Sequence, residues 1–167
     1  MEKHTILIVD DEEIVLKTIE RVFLDENCTI LTALSGQEGL AKLANHEVSM
    51  VISDQKMPGM SGLEFLERVK TEYPDILTIM LTAYADIEVA VKAINEIGIY
   101  KFILKPFDVE VFKITIKRAL ESLHLVKECK RLTQQVQNHE AILGKLEKKH
   151  PGITRVEKDE YGNVLSL

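Results

Sequence analysis

The sequence predicts an α/β protein with a doubly wound, five-stranded parallel sheet and a long C-terminal helix. Short apolar, β-branched runs alternate five times with segments of helical spacing across residues 1–107. This alternation calls for right-handed crossovers between strands, which build a parallel sheet. From Asp108 the chain has neither Gly nor Pro until Gly144, and residues that favour helices dominate, which predicts the long helix.

Most of the predicted strands are apolar on both faces, as is typical of strands buried between two layers of helices. They cover residues 6–9, 28–33, 49–53, 76–81 and 100–104. Apolar residues three or four positions apart predict the helices that connect them. These helices cover residues 12–25, 36–45, a segment around 63–69 that stops before Pro74, and residues 87–97.

Composition excludes several classes of protein. With 46% apolar residues the chain can bury a core, yet no apolar run approaches the ~18 residues of a membrane span. The N-terminus also lacks the basic and apolar regions of a signal peptide, so we expect a cytoplasmic protein without membrane contact. Cys28 and Cys129 are too few and too far apart for a disulfide scaffold or a metal knuckle.

The net charge of −6 is unevenly distributed along the chain. Residues 1–107 carry a net charge of −8, which would repel phosphates, so no direct nucleic-acid binding is expected. Residues 108–150 carry a net charge of +3, spread along the predicted helix without interleaved aromatic residues. We interpret this basic excess as a solvated helix face.

Polar residues stand where four of the predicted strands end. Asp10 and Asp11 follow the first strand, Asp54 the third, Thr82 the fourth and Lys105 the fifth. The carboxyl ends of parallel strands share one edge of the sheet, where ligands of open α/β sheets bind. We therefore expect these five side chains to converge.

The three carboxylates need a cation if they are to remain charged and close together, and their oxygen ligands suit Mg²⁺. The acids at residues 10–13 could instead only complement the dipole of the helix that they begin. Lys105 favours the first interpretation, because a lysine before proline at the end of the last strand adds a fixed cation at this edge. Together with the hydroxyl of Thr82, these groups describe a phosphoryl-binding site.

The order of these residues resembles the receiver domain of two-component response regulators, over residue 4 to about residue 120. The matching positions are Asp10–Asp11, Asp54 with Met57–Pro58–Gly59 behind it, Thr82–Ala83 and Lys105–Pro106. The resemblance implies the flavodoxin-like receiver fold and a role for each of these positions.

By resemblance, Asp54 is the phosphoacceptor, and its carboxylate attacks the phosphohistidine of a histidine kinase or phosphotransfer protein, or a small acyl phosphate. The resemblance implies a Mg²⁺ site made by Asp10, Asp11, Asp54 and the backbone carbonyl of Lys56. Asp11 is expected to bind the metal directly and Asp10 through water. The phosphoryl oxygens would be bound by Lys105 and by the backbone amides of Gln55 and Ala83.

The resemblance also implies a conformational switch. The Thr82 hydroxyl would hydrogen-bond the phosphoryl group, and an aromatic residue on the fifth strand would then turn inward. Phe102 holds the family's position for this residue, and Tyr100 is the alternative. The Lys105–Pro106 bond is expected to be cis.

By the same resemblance, two further side chains are expected to flank the phosphoryl group. These are Lys56, two positions after Asp54, and Tyr84, two positions after Thr82. A long cation and an aromatic ring should hinder the attack of water on the phosphoryl group, so self-dephosphorylation is expected to be slow. Apart from this reaction and self-phosphorylation from small acyl phosphates, no enzymatic activity is expected.

Three segments are expected: a receiver domain at residues 1–122, a helical extension at 123–150 and a tail at 151–167 that could form a β-hairpin. The extension carries an apolar seam with alternating steps of four and three residues. Its members are Leu125, Cys129, Leu132, Val136, His139, Leu143 and Leu146. This heptad pattern predicts a coiled coil, and hence a homodimer through residues 120–148. The alternative is a lone amphipathic helix folded against its own domain.

Upstream of the seam, four apolar residues are expected to face the receiver domain. They are Val111, Ile114, Ala119 and Leu120.

The sequence therefore predicts a response regulator that signals through protein–protein contacts with a downstream protein that it does not identify. Two alternatives remain open at this stage. One is a phosphorelay intermediate or phosphate sink, and the other is a truncated regulator without its effector domain.

Overall fold

A single five-stranded parallel sheet forms the centre of the N-terminal part of the chain. The structure is a computed structural model that describes residues 4–24 and 26–153. The strands are β1 (His4–Val9), β2 (Cys28–Ala33), β3 (Met50–Asp54), β4 (Leu77–Ala83) and β5 (Lys101–Lys105). The helices are α1 (Glu13–Val22), α2 (Gly36–Asn45), α3 (Gly62–Glu72), α4 (Ile87–Lys92) and α5 (Val109–Lys149). A 3-10 turn (Tyr84–Asp86) precedes α4 and a π-helical turn (Ala93–Ile97) follows it.

The strand order is β2-β1-β3-β4-β5, which gives the sheet a switch point between β1 and β3. From β1 the chain first goes to one side to form β2, and then to the other side to form β3. The two crossovers therefore diverge and leave a crevice at the carboxyl ends of β1 and β3.

Two apolar cores lie on opposite faces of this sheet, because successive side chains of a strand alternate in direction. In β1, Ile6 and Ile8 join the core formed with α1 and α5, while Leu7 and Val9 join the core formed with α2, α3 and α4. All four residues are fully buried. The predicted doubly wound α/β fold is confirmed.

Three strands extend further than the sequence indicated. β3 includes Asp54, β4 includes Ala83 and β5 includes Lys105. A polar side chain does not stop a parallel ladder, and these residues still pair with neighbouring strands: Asp54 with Leu81, and Ala83 with Lys105. The key side chains are thus fixed by the sheet itself.

The orientation predicted for the start of α5 was partly wrong. Val111 and Ile114 are exposed, whereas Ala119 is buried and Leu120 is half-buried against the core. The residues that pack on the sheet follow steps of four, three and four, which keeps them on one helix face. They are Phe112, Ile116, Ala119 and Leu123.

The chain divides into two compact units, residues 1–123 and residues 124–167. In the second unit, α5 continues to Lys149, and every member of the predicted seam is exposed, among them Leu125 at 65% and Val136 at 56%. The predicted tail hairpin lies almost wholly outside the described residues. Within the described part of the chain, no helix is long and apolar enough to span a membrane.

The first residue of α3, Gly62, packs closely against the backbone of Asp54. Ser61 caps the helix in a capping box with Glu64, and the Gly62 amide donates to the Gln55 carbonyl at 3.0 Å. A Cβ atom at Gly62 would lie 2.1 Å from the Asp54 carbonyl oxygen. Only glycine therefore fits between α3 and the end of β3.

Gly62→Ala should strain the turn that holds Asp54 and lower the free energy of unfolding by about 1–3 kcal/mol, as overpacking does. Gly144→Ala is the control, because a Cβ there meets no atom within 4 Å and alanine favours a helix. Urea unfolding followed by circular dichroism measures both. Wild-type stability in Gly62→Ala would contradict the close approach.

Candidate functional site

The candidate site lies at the switch point, at the carboxyl ends of β1, β3, β4 and β5. Asp10 follows β1, and Asp54 and Lys105 are the last residues of β3 and β5. The Lys105 ammonium lies 2.6 Å from Asp54 Oδ1 and 2.9 Å from Asp10 Oδ2. The structure therefore brings together three groups that are far apart in the sequence.

Both carboxylates are removed from solvent. Asp10 is completely buried and Asp54 is 7% exposed. The second oxygen of each accepts a backbone hydrogen bond, from the Glu12 amide to Asp10 Oδ1 at 2.9 Å and from the Lys56 amide to Asp54 Oδ2 at 2.8 Å. Buried carboxylates need such partners, because unpaired charge is costly in the interior.

The two charged partners have shifted pKa values for opposite reasons. Burial raises the pKa of Asp54 and the negative charge of Asp10 adds to this, while Lys105 and the Lys56 amide oppose it. Burial disfavours the charged form of Lys105, but its hydrogen bonds and attraction to Asp54 and Asp10 outweigh burial and raise its pKa. Lys105 therefore stays charged, whereas burial destabilises the ionised form of Asp54.

Asp11 does not share this buried environment, because its position is exposed. Across residues 4–24 and 26–153, no three acidic, histidine or cysteine side chains are grouped so as to hold a metal ion. Two converging carboxylates nevertheless fit Mg²⁺, which takes one or two of them directly and keeps several waters. The donor chemistry of Asp10 and Asp54 therefore suits this ion.

The backbone amide directed at Asp54 belongs to Lys56, and the expectation for Gln55 is corrected. The Gln55 amide donates to the Leu81 carbonyl at 2.9 Å, so its hydrogen is already used in pairing with β4. The Gln55 side chain accepts from the Leu63 amide, which ties the loop to α3. The sequence did not distinguish these amides, because the direction of each N–H depends on the turn.

Thr82 and Phe102, the residues of the predicted switch, lie on the neighbouring strands β4 and β5. Thr82 is 1% exposed, and its hydroxyl donates a long hydrogen bond of 3.4 Å to the Ala83 carbonyl. Phe102 is half-buried beside the core that contains Met80, whereas Tyr100 precedes β5 and is 47% exposed. The Lys105–Pro106 bond is cis.

Sequence reasoning missed one contact at the rim of the site. The Lys56 ammonium lies 3.2 Å from Asp86 Oδ2, which joins the loop after β3 to the turn before α4. The Tyr84 side chain, in the same turn, is 76% exposed. No sequence signal pairs residues 56 and 86, since both lie in loops.

Solved structures share this architecture. The response regulator receiver domain protein from Clostridium thermocellum aligns with a TM-score of 0.68 and 31% identity, covering 74% of this chain and 98% of that one. NtrX from Brucella abortus aligns with a TM-score of 0.73 and 31% identity, covering 78% of this chain and 30% of that one. Fold and site together define a flavodoxin-like receiver domain.

The chain belongs to the response regulator receiver domain family, which it matches over residues 6–117. It is 36% identical over 139 residues to the hydrogenase transcriptional regulatory protein HoxA of Cupriavidus necator, covering 83% of this chain and 29% of HoxA. It is 35% identical over 141 residues to the nitrogen assimilation regulatory protein NtrX of Azorhizobium caulinodans, covering 83% of this chain and 31% of that protein. The chain thus spans less than a third of the length of these relatives.

Receiver domains of two-component response regulators are signalling phosphoacceptors that histidine kinases or phosphotransfer proteins phosphorylate, and in general they bind Mg²⁺. These relationships favour a two-component response regulator over a phosphorelay intermediate or a phosphate sink.

Asp54→Asn should raise the free energy of unfolding at pH 7, because it removes a buried charge next to Asp10. A raised pKa in the folded state means that ionised Asp54 destabilises the fold, so this gain should shrink as pH falls through that pKa. It should vanish below the ordinary carboxyl pKa of about 3.9, where Asp54 is neutral in both states. Asp11→Asn, at an exposed position, is the matched control and should change little.

Lys105→Met provides the converse measurement, since it leaves two buried carboxylates without their cation. It should cost roughly 1–3 kcal/mol at pH 7, and less in acid. Metal-free urea unfolding at several pH values measures all three variants. A destabilised Asp54→Asn would contradict the assigned charge balance.

Proposed function

We propose that the protein is a response regulator that accepts a phosphoryl group on Asp54 and transmits the change through protein–protein contacts. The observation that carries this proposal is the pairing of Lys105 with Asp54 and Asp10 at the switch point of a receiver fold. We expect it to act in the cytoplasm, with a sensor histidine kinase or a phosphotransfer protein as donor.

The chemistry follows from the geometry of the pocket. Asp54 is held with one oxygen on Lys105 and the other on the Lys56 amide, and each oxygen keeps a second lone pair with which it can attack a phosphoryl group. Its bond to phosphorus forms as the donor's bond to phosphorus breaks, and the donor leaves with that electron pair. Phosphoryl transfer depends mainly on positioning and on neutralising charge. Lys105 then pairs with a phosphoryl oxygen, and the amides of Lys56 and Ala83 serve others.

Mg²⁺ would be held by Asp10, Asp11, Asp54 and the carbonyl of Lys56, and would supply neutralisation of phosphoryl charge. The exposed position of Asp11 lets it reach an ion at the mouth of the pocket, whereas Asp10 is committed to Lys105 and the Glu12 amide. This arrangement supports direct binding by Asp11 and binding through water by Asp10.

The switch would use residues with weak or incomplete contacts. Thr82 keeps only a long hydrogen bond, so its hydroxyl can turn to a phosphoryl oxygen at little cost. Movement of Thr82 opens space near β5, which half-buried Phe102 can enter. The response would therefore reach the face formed by α4, β5 and the start of α5.

Incubation with Mg²⁺ and a small acyl phosphate should add one phosphoryl group per chain, visible in the intact mass. Asp54→Asn should add none, whereas Asp75→Asn, at an exposed loop position, should behave as the wild type. After removal of the donor, the group should persist for minutes or longer, because Lys56 and Tyr84 hinder water. A phosphoryl group retained by Asp54→Asn would overturn the assignment, and a half-time of seconds would overturn the slow hydrolysis.

The exposed seam of α5 supports a homodimer through residues 120–148. Five of its members are large apolar side chains that are 39–65% exposed: Leu125, Leu132, Val136, Leu143 and Leu146. Their heptad spacing fits a second copy of the same helix, in which each side chain would enter a hole of the partner. The length and the spacing of this apolar stripe support a coiled coil.

Sedimentation equilibrium with Mg²⁺, with and without beryllofluoride, should show a dimer in at least one condition. Leu132→Lys should shift it to monomer, because it buries a charge in the seam. Gln134→Lys, two residues further along the helix and hence outside the seam, is the control and should leave the mass unchanged. Wild-type monomer under both conditions would contradict the coiled coil.

A further inference from the structure

Asp86 occupies an unusual position at the beginning of α4. It stands at the N-cap, where an aspartate side chain normally accepts an amide hydrogen of the first turn, yet it makes no such bond. Its Oδ2 is enclosed by protein and has no hydrogen-bond partner among the described residues. The Lys56 ammonium is 3.2 Å away, so the contact is an ion pair whose angle is not that of a hydrogen bond.

A buried carboxylate oxygen without a hydrogen bond is costly, so its arrangement calls for an explanation. The carboxylate of Asp86 is 20% exposed, while the Lys56 side chain is 73% exposed. The lysine is thus the mobile partner, on a flexible stem, and the aspartate is the one held in the protein. The ion pair joins Asp86 to the loop after β3, whereas its side chain makes no capping hydrogen bond to α4.

Lys56 is also placed next to the phosphoacceptor, because its own amide donates to Asp54 Oδ2 at 2.8 Å. A phosphoryl group on Asp54 would offer the same ammonium more negative charge than one carboxylate does. The two anions would therefore compete for one cation, with Asp86 on one side and the phosphoryl group on the other.

We propose that Lys56 and Asp86 form a strap between the phosphoacceptor loop and α4, which phosphorylation opens by drawing the Lys56 ammonium away from Asp86. The released carboxylate then turns to the first turn of α4, with which it makes no capping hydrogen bond in this structure, and resets that turn. The strap is a second route from Asp54 to α4, separate from Thr82 and Phe102. It rests on the phosphoacceptor role proposed for Asp54.

The test is the backbone amide spectrum of ¹⁵N-labelled protein with Mg²⁺, before and after addition of beryllofluoride, which stands in for the phosphoryl group. In the wild type, beryllofluoride should shift the amides of residues 84–90. In Lys56→Met, the amide signals of residues 84–90 should already be displaced before beryllofluoride is added. The displacement should have the same direction as the wild-type response to beryllofluoride and roughly half of its size or more, as a population shift predicts. Lys92→Met, which removes a lysine of α4 that pairs with Glu96, should leave them unchanged.

Asp86→Asn, which retains the size of the side chain, is a second probe of the same contact. The double variant should shift the α4 amides no further than Lys56→Met alone, because both changes open one contact. The strap is overturned if Lys56→Met leaves residues 84–90 at wild-type positions before beryllofluoride is added, or if the effects of the two variants add. A wrong assignment of the phosphoacceptor would give a different result from a wrong assignment of the strap. In that case beryllofluoride would leave the amide signals of Lys56 and Ala83 unchanged in every variant.

Discussion

One ammonium group between two buried carboxylates is the interaction on which the whole site depends. Asp10 is fully buried, and its two carboxylate oxygens accept hydrogen bonds from Lys105 and from the Glu12 amide. Lys105 can reach Asp10 only because β5 ends at the same edge of the sheet as β1 and β3. The pairing of Lys105 with Asp10 and Asp54 therefore depends on the parallel arrangement of the strands, which the crossovers produce.

This charge balance also explains which ligands the pocket can take. Two carboxylates and one lysine leave a net negative charge, so a dianionic phosphoryl group cannot enter without a further cation. A divalent ion reverses the sign of the pocket and makes phosphoryl binding favourable. The raised pKa of Asp54 has a related cause, because burial disfavours its charged form and the negative charge of Asp10 adds to this. A divalent cation would therefore offset both the negative charge already in the pocket and the charge that a phosphoryl group would add.

The sequence was sufficient to predict the fold and the convergence of Asp10, Asp54 and Lys105, because both follow from strand alternation and from the shared edge of parallel strands. It was insufficient where backbone direction decides. The choice between the amides of Gln55 and Lys56 depends on how the chain leaves β3, which the register with Leu81 determines. The apolar residues at the start of α5 lie on more than one face, so periodicity alone could not select Phe112 and Ile116 over Val111 and Ile114.

The two loops at the site differ in how fully their polar groups are hydrogen-bonded. The loop after β3 is fixed by the Gln55–Leu81 pairing and by the Ser61–Glu64 capping box, and these keep Asp54 in position. The turn after β4 is different, because the Thr82 hydroxyl makes a long hydrogen bond and Asp86 Oδ2 has no hydrogen-bond partner within residues 4–24 and 26–153. Segments with unsatisfied groups have other arrangements close in free energy, and conformational changes draw on such segments. The β3 side of the site is therefore held more firmly than the turn that leads from β4 to α4.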